Sequence, residues 1–467
     1  MIDIRPEMLG DPSFKRDLGI RYAYLGGAMA NGIGSVEICQ SLAGAGMLGF
    51  FGAAGLSLQR VESAIDALRG VNCGFNLIHT PNEPAHEAAT VALYLRRGVR
   101  LVEASAYLDL TLPLARYRLS GIHAAPDGSP ICPNRVVGKV SRVEVATRFL
   151  SPAPDKLLGE LVREGTLTES QAALARRVPV AQDLTAEADS GGHTDNRPFV
   201  TLLPTLIALR DRMQAKWEYP MPLRIGAAGG IATPESVAAA FLMGAAYVLA
   251  GSIHQACRES GSSDAVREML AGCEQADVTM APAADMFEMG VKLQVLKRGT
   301  MFAMRAAKLH ELYRAHPSLE AIPEADRSML EKTIFRLPLS QVWDETKAFW
   351  RERGPEQLDR ADRDPKHRLA LAFRWYLGLS SRWANSGEPS RKVDYQVWCG
   401  PAMGAFNEWT RGSYLEDWRE RRVADVAREL MHGACVRTRQ HFARLNGEAI
   451  TEPVRPVGAE RLRTAFA

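Results

Sequence analysis

Two glycine-bearing turns, 22 residues apart, mark where this chain could hold an anion. Residues 224–252 read RIGAAGGIATPESVAAAFLMGAAYVLAGS. Gly229 and Gly230 follow one short apolar run, and Gly251 and Ser252 follow another. With no Cβ in the way, backbone N–H groups can close on a phosphate, and a helix N-terminus beyond them favours negative charge. Thr233-Pro234-Glu235 supplies such a start, with Thr as N-cap and Pro at the first helical position. The plainer reading is that these glycines only serve tight strand-to-helix turns.

Other residues fit the same chemistry. The run EADSGGH places His193 behind Gly191 and Gly192. An imidazole titrates near neutrality, so it can donate a proton or polarise a carbonyl. It can equally hydrogen-bond a loop without doing chemistry. LGGAMANGIG spans residues 25–34. There Gly26, Gly27 and Ala28 would let backbone amides lie against a planar ring, and Met29 offers a soft apolar surface. Asn76 could hydrogen-bond a ring edge. Lys139 could neutralise a phosphate or the anionic edge of a reduced ring.

These residues need a scaffold, and the pattern supplies one. Short apolar runs at 22–25, 47–51, 73–77, 101–104, 136–139, 183–186, 223–227 and 247–250 alternate with amphipathic helical segments. Eight strands separated by helices predict an α/β fold, a (β/α)8 TIM barrel, over residues 1–275. A helical insertion is expected at about 154–177, where Thr168 and Gln171 make a capping box. In such barrels catalytic groups sit at the C-terminal strand ends, and phosphate sites follow strands seven and eight. Together the positions point to one mononucleotide across the barrel mouth. A clean GxGxxG is missing, which argues against a dinucleotide fold.

Beyond residue 275 the strand pattern is expected to stop. Helices are expected at 286–313, 324–335, 339–353, 364–380 and 414–445. Residues 276–400 are assigned to a large helical lid or substrate domain, and 401–467 to C-terminal helices packing on barrel and lid. Seven of the eight tryptophans lie in this half, as helix packing or as an aromatic wall over a ligand.

The bulk properties exclude some partners. At 467 residues, 46% hydrophobic and 24% charged, the chain reads as globular. A net charge of +3 gives no case for nucleic acid or membrane. Residues 38–59 carry no charge, but their glycines break them into helix end, strand and loop. The N-terminus shows no signal-peptide pattern. Seven scattered cysteines, with no CxxC, point to reduced thiols in a cytoplasmic protein and to no metal site.

The segments GGAMANGIGSVEIC, CGFNLIHTPNEP, VEASAYLDLT, NRVVGKVSR, EADSGGHTDNRP, PAADMFEMGVKLQVLKRGTMFAMRA and DYQVWCGPAMGAFNEW resemble the PfaD-type flavin-dependent enoyl reductases. These act in trans with polyketide and polyunsaturated fatty-acid synthases. The wider superfamily includes FabK-type enoyl reductases and nitronate monooxygenases. The resemblance covers nearly the whole chain. It implies FMN as cofactor, NADPH or NADH as reductant, and an acyl carrier protein bearing the enoyl thioester as partner, in a soluble chain compatible with a homodimer. It places the FMN phosphate at Gly229, Gly230, Gly251 and Ser252. The ring lies on Gly26, Gly27, Ala28 and Met29, with Asn76, Lys139, Gly191 and Gly192 beside it. His193 is the catalytic candidate, as proton donor at Cα or as polariser of the thioester. A basic group among Lys292, Lys297, Arg298, Arg305 and Lys308 is a docking candidate for the acidic carrier, or simply a solvated face. The alternatives are a nitronate monooxygenase-like flavin oxidase, separable by anaerobic turnover of an enoyl thioester, and a non-catalytic member of a synthase assembly, which would purify colourless.

Overall fold

Apolar runs flanked by glycine-bearing turns form β1 (Tyr24–Gly26), β2 (Leu48–Phe51), β3 (Cys73–Ile78), β4 (Leu101–Ser105), β5 (Arg135–Val140), β6 (Asp183–Glu187), β7 (Arg224–Ala228) and β8 (Val248–Ala250). They were located in a computed structural model describing residues 3–81, 83–448 and 451–458, with Leu462 and Phe466. Each strand pairs in parallel with the next in the chain, and β8 closes on β1. The result is the TIM barrel expected from the alternation. Its strands are almost wholly buried, as a parallel sheet covered by helices requires.

The interior is filled by side chains from alternate positions. A Cβ at Gly226 would sit 2.2 Å from the Tyr247 ring, so that glycine makes room for the aromatic fill. The helix Pro12–Leu18 closes the N-terminal end. Asp11 caps it by accepting from the N–H groups of Ser13 at 2.7 Å and Phe14 at 3.0 Å. Phe14 stacks on Tyr247 with ring centroids 4.2 Å apart. Beside it the buried Arg224 donates to Asp183 at 2.6 Å and reaches Asp17 at 2.9 Å.

The expected insertion is two helices, Asp155–Arg163 and Glu169–Ala175, the second opened by the Thr168–Gln171 capping box. The uncharged stretch resolves into the end of helix Val36–Gly44, β2 and a loop. Among the described residues no helix is long and apolar enough to cross a membrane. The helix Val423–Leu445 packs on Pro234–Leu242, where Gly433 admits the Pro234 ring.

The chain divides into two units. One comprises Met1–Ser190, Thr194–Gly261 and Ala402–Ala467; the other comprises Gly191–His193 and Ser262–Pro401. The second unit corrects one expectation. Strands do not stop near residue 275: Val278–Pro282 and Lys292–Leu296 form an antiparallel hairpin, extended by Gly192–His193. The helix expected from 286 begins only at Phe302 and runs to Ala315. Gly290 and Gly299, at φ of 69° and 77°, take a left-handed conformation that a continuous helix cannot contain. Between them, Leu293 and Val295 are buried and pair with the neighbouring strand.

Around this sheet lie Leu339–Arg353, Glu356–Arg363 and Pro365–Ser386, with Glu324–Met329 running into a π-helical turn at Leu330–Phe335. Trp343 and Trp350 belong to their common core, and Trp375, Trp383 and Trp398 pack against it. Trp343, Trp350, Trp375 and Trp383 are therefore helix-packing residues, while Trp398 lies on an extended segment bridged to Val295.

Candidate active site

Strand register decides which side chains meet at the barrel mouth. Asn76 on β3 lies opposite Glu103 on β4, and Glu103 lies opposite Val137 on β5. Lys139, two residues on, shares the face of Val137, because side chains alternate. Lys139 lies opposite Thr185, and Glu187 follows two residues later on β6. Glu103, Lys139 and Glu187 thus step round one wall.

Lys139 Nζ lies 2.8 Å from Glu187 Oε1. Burial pulls the ammonium pKa down, but Glu187 and Glu103 outweigh it and hold the value above the usual lysine range. Glu103 is fully buried. Burial pushes its carboxyl up to about 7; Lys139 opposes this, Glu187 reinforces it, and a backbone hydrogen bond from Ala28 opposes it. That bond joins Ala28 N–H to Glu103 Oε2 at 3.0 Å. Asn76 turns its Nδ2 into the wall, donating to Ser105 Oγ at 2.9 Å and the Glu103 carbonyl at 3.2 Å. That leaves Oδ1 as its atom for a ring edge. Ala106, next after β4, is held at φ 62°, a strained value for a residue with a side chain.

The β1 loop is knitted to the β2 loop. Gly34 N–H donates to the Met29 carbonyl, Gly32 N–H to the Gly52 carbonyl and Gly52 N–H to the Gly34 carbonyl. This fixes the 26–29 segment from behind. The two anion turns differ from each other. Gly229 has φ 80°, and its Cβ would fall 2.5 Å from the backbone of Ala188. Gly230 has φ 76° with nothing within 4 Å, and Gly251 is equally open. No backbone acceptor among the described residues takes the N–H of Gly230 or Gly251. Ser252 begins the short helix Ser252–Gln255.

That helix carries His254, which the sequence reading did not select. Its Nε2 lies 2.8 Å from the Tyr24 hydroxyl. Complete burial pushes the imidazole down to about 3, so it stays neutral. Its Nδ1 lies 3.4 Å from where a Gly26 Cβ would stand, which ties β1 to the turn after β8. The sequence signal was slight: one histidine in an apolar stretch. Glu103 gave a clearer one, a charge inside the buried strand LVEAS.

His193 belongs to the second unit, paired opposite Leu293. Its Nε2 lies 3.1 Å from Asp285 Oδ2. Burial raises the Asp285 carboxyl, but the His193 hydrogen bond and charge prevail and hold it below the usual range. Gly191 and Gly192 are accounted for within the same unit. A Cβ at Gly191 would stand 2.8 Å from the Cys399 nitrogen, and Gly192 has φ 81°. Of the basic docking group, Arg305 is taken by the buried Asp394 and Arg298 by Asp277. Among the described residues no cluster of three or more His, Cys, Asp or Glu is placed to hold a metal.

Residues 316–395 match the family model of the inserted helical domain of [acyl-carrier-protein] S-malonyltransferase. The chain is 47% identical over 438 residues, 91% of its length, to a component of the polyunsaturated fatty acid synthase of Thraustochytrium sp.. It is 44% identical over 433 residues, 92% of its length, to polyketide biosynthesis protein PksE of Bacillus subtilis. It spans 29% of the first relative and 56% of the second. The crystal structure of the enoyl reductase domain of MlnA, from the macrolactin cluster of Bacillus amyloliquefaciens, superposes with a TM-score of 0.89 at 40% identity. That match covers 94% of this chain and 99% of the domain. A barrel with this mouth, matching an enoyl reductase domain almost end to end, places the chain in the PfaD-type enoyl reductase family.

Proposed function

We propose that the chain reduces the α,β-double bond of enoyl thioesters carried on an acyl carrier protein, acting in trans for a polyketide or polyunsaturated fatty-acid synthase. The observation that carries this is the near-complete match to the MlnA enoyl reductase domain. The cofactor is FMN and the reductant NADPH or NADH. The mouth suits FMN: Gly230 and Gly251 leave open space and unused backbone N–H groups for a phosphate. The 26–29 segment, anchored through Gly27 to Ala250, Ala28 to Glu103 and Met29 to Gly34, offers a held backbone for the ring. FMN held there would supply the hydride chemistry between the nicotinamide and the substrate's Cβ.

The protein's own part is positional and protonic. Gly229, Gly230, Gly251 and Ser252 hold the phosphate. Asn76 and Lys139 face the polar edge of the ring, and the Lys139 charge favours electron-rich states there. His193 supplies the proton at Cα, with Asp285 orienting its ring and holding Nε2. We assign handling of the carrier-bound substrate to the second unit. The match of 316–395 to a domain of a carrier-protein acyltransferase supports that assignment.

The test is direct. Purified protein reconstituted with FMN should turn yellow and oxidise NAD(P)H anaerobically when given a crotonyl thioester on a carrier protein, releasing butyryl thioester. A flavin-loaded protein inert to enoyl thioesters would overturn the proposal.

A further inference from the structure

Glu103 is the carboxyl of the mouth wall whose charge no partner answers directly. Its side chain is fully buried. Oε2 accepts from Ala28 N–H at 3.0 Å, while Oε1 is buried without a hydrogen-bond partner among the described residues. A buried acceptor left unsatisfied is costly, and an ionised one more so. Lys139, on β5, is the nearby cation, and at 2.8 Å it is paired with Glu187 on β6. The Tyr247 hydroxyl, just before β8, bonds Thr185 at 2.8 Å. The Asn76 amide on β3 donates to the Glu103 backbone carbonyl, not to its carboxyl. The Lys139–Glu187 pair is neutral as a unit, so the Glu103 proton decides the net charge of the wall. Burial, reinforced by Glu187 and opposed by Lys139, pushes that carboxyl up to about 7, so its proton is exchangeable near neutral pH. The same carboxyl holds Ala28, in the segment assigned to the ring.

We propose that Glu103 is the proton-exchanging group of the barrel mouth. It binds one solvent proton as two electrons enter the bound flavin, and releases it as they leave. The proposal rests on the reading that FMN occupies this mouth. The balance is simple. A hydride brings two electrons and one proton, and so adds one negative charge to the mouth. A solvent proton then forms an O–H bond on Glu103, and the net charge is restored. When the hydride passes on to substrate carbon, that O–H bond breaks and the proton returns to solvent. Added negative charge in a buried site raises the proton affinity of a neighbouring carboxyl, which is the coupling required. Glu103 is a positioning and tuning residue here, acting through charge and through Ala28.

The experiment is an anaerobic redox titration of FMN-loaded protein at pH steps from 7 to 9, for wild type and Glu103→Gln. The amide oxygen of Gln can still accept from Ala28 N–H, so the cradle is kept while the titrating proton is lost. Wild type should take up about one and a half protons per two electrons at pH 7, where Glu103 already holds part of its proton, rising toward two by pH 8–9, and the variant one throughout. Equal proton counts in two yellow proteins would overturn the role of Glu103 and leave the flavin reading standing. Failure of both proteins to bind FMN would overturn the flavin reading, and this one with it. If Glu103→Gln does not fold, Glu103→Asp serves: the pH at which the proton count changes should move. An unmoved break point would equally overturn the proposal.

Discussion

Lys139 Nζ and Glu187 Oε1 lie 2.8 Å apart across neighbouring barrel strands, in a wall that Glu103 also faces. The parallel register of β5 and β6 makes them diagonal neighbours on one face. One cation thus pairs with Glu187 and acts on the fully buried Glu103 only at longer range.

Lys139→Met should leave Glu187 and Glu103 facing each other without a counter-charge. The pair is half-buried, so removing one partner should cost less than the about 3–5 kcal/mol of a fully buried pair. Adding Glu187→Gln should restore a good part of the loss. Urea unfolding of the apoprotein at pH 8, for both single variants and the double, measures the coupling. Additive effects would mean the contact carries no interaction energy.

Apoprotein stability should fall as pH rises through neutrality. The folded Glu103 pKa is raised, to about 7 from an ordinary value of 4.5. The stability linked to its proton is fully present below 4.5 and is lost as pH rises through 7. At about 1.4 kcal/mol per unit, the full loss is on the order of 3 kcal/mol. Glu103→Gln should remove this contribution, and denaturation midpoints at pH 5.5 and 8.5 would show it. The same loss in wild type and variant would assign it to another group.

His254 gives the opposite sign. Its folded value is depressed to about 3 by burial, below an ordinary 6.5. Its contribution is therefore present above pH 6.5 and is lost as pH falls toward 3. Between pH 6.5 and 4 this amounts to roughly 3 kcal/mol. His254→Gln should be less acid-sensitive than wild type, in urea titrations at pH 4 and 7. An unchanged acid slope would show that the folded imidazole takes up its proton normally.

The periodicity made the barrel legible. RIGAA, AAYVLA and LVEAS are apolar strands ending near glycine or small residues, and all three lie in the closed sheet. The caps at Thr168 and Thr233 were equally readable, because a side chain three residues from its partner signals locally. The hairpin in the second unit was missed because KLQVL is too short to oppose the helical pattern around it. Its strand character comes from pairing with residues 278–282 and 192–193. The wall of the mouth was half visible. Asn76 and Lys139 could be chosen one strand at a time. Their link to Glu103 and Glu187 depends on register between strands 27 to 48 residues apart, which no local pattern records.

The two anion turns should respond differently to substitution. A side chain at Gly229 meets the Ala188 backbone and an unfavourable φ, so Gly229→Val should unfold or misfold the barrel. Gly251 has open space and a negative φ, so Gly251→Asp should fold normally. Its carboxylate would repel a phosphate and weaken FMN binding by at least about tenfold, or 1.4 kcal/mol. Apoprotein melting and FMN fluorescence titration separate the two effects. Full FMN affinity in a folded Gly251→Asp protein would place the phosphate elsewhere.

The last prediction concerns the proton at Cα. His193→Ala should still bind FMN and still accept hydride from NAD(P)H, because neither step needs a proton at substrate carbon. Reoxidation by the enoyl thioester should slow by about 10²–10⁴-fold if His193 is the general acid. Asp285 sharpens the test. Its carboxylate lies 3.1 Å from His193 Nε2 and favours the imidazolium. Asp285→Asn removes that charge while keeping a hydrogen-bonding side chain. The falling limb of the reoxidation rate, where the imidazolium loses its proton, should then move to lower pH. If His193 only polarises the thioester carbonyl through a neutral N–H, the limb stays in place while the rate falls. Stopped-flow reoxidation across pH 5.5–9 distinguishes these outcomes. Wild-type reoxidation by the alanine variant would remove His193 from the step, and the proton would then come from water or another group at the mouth.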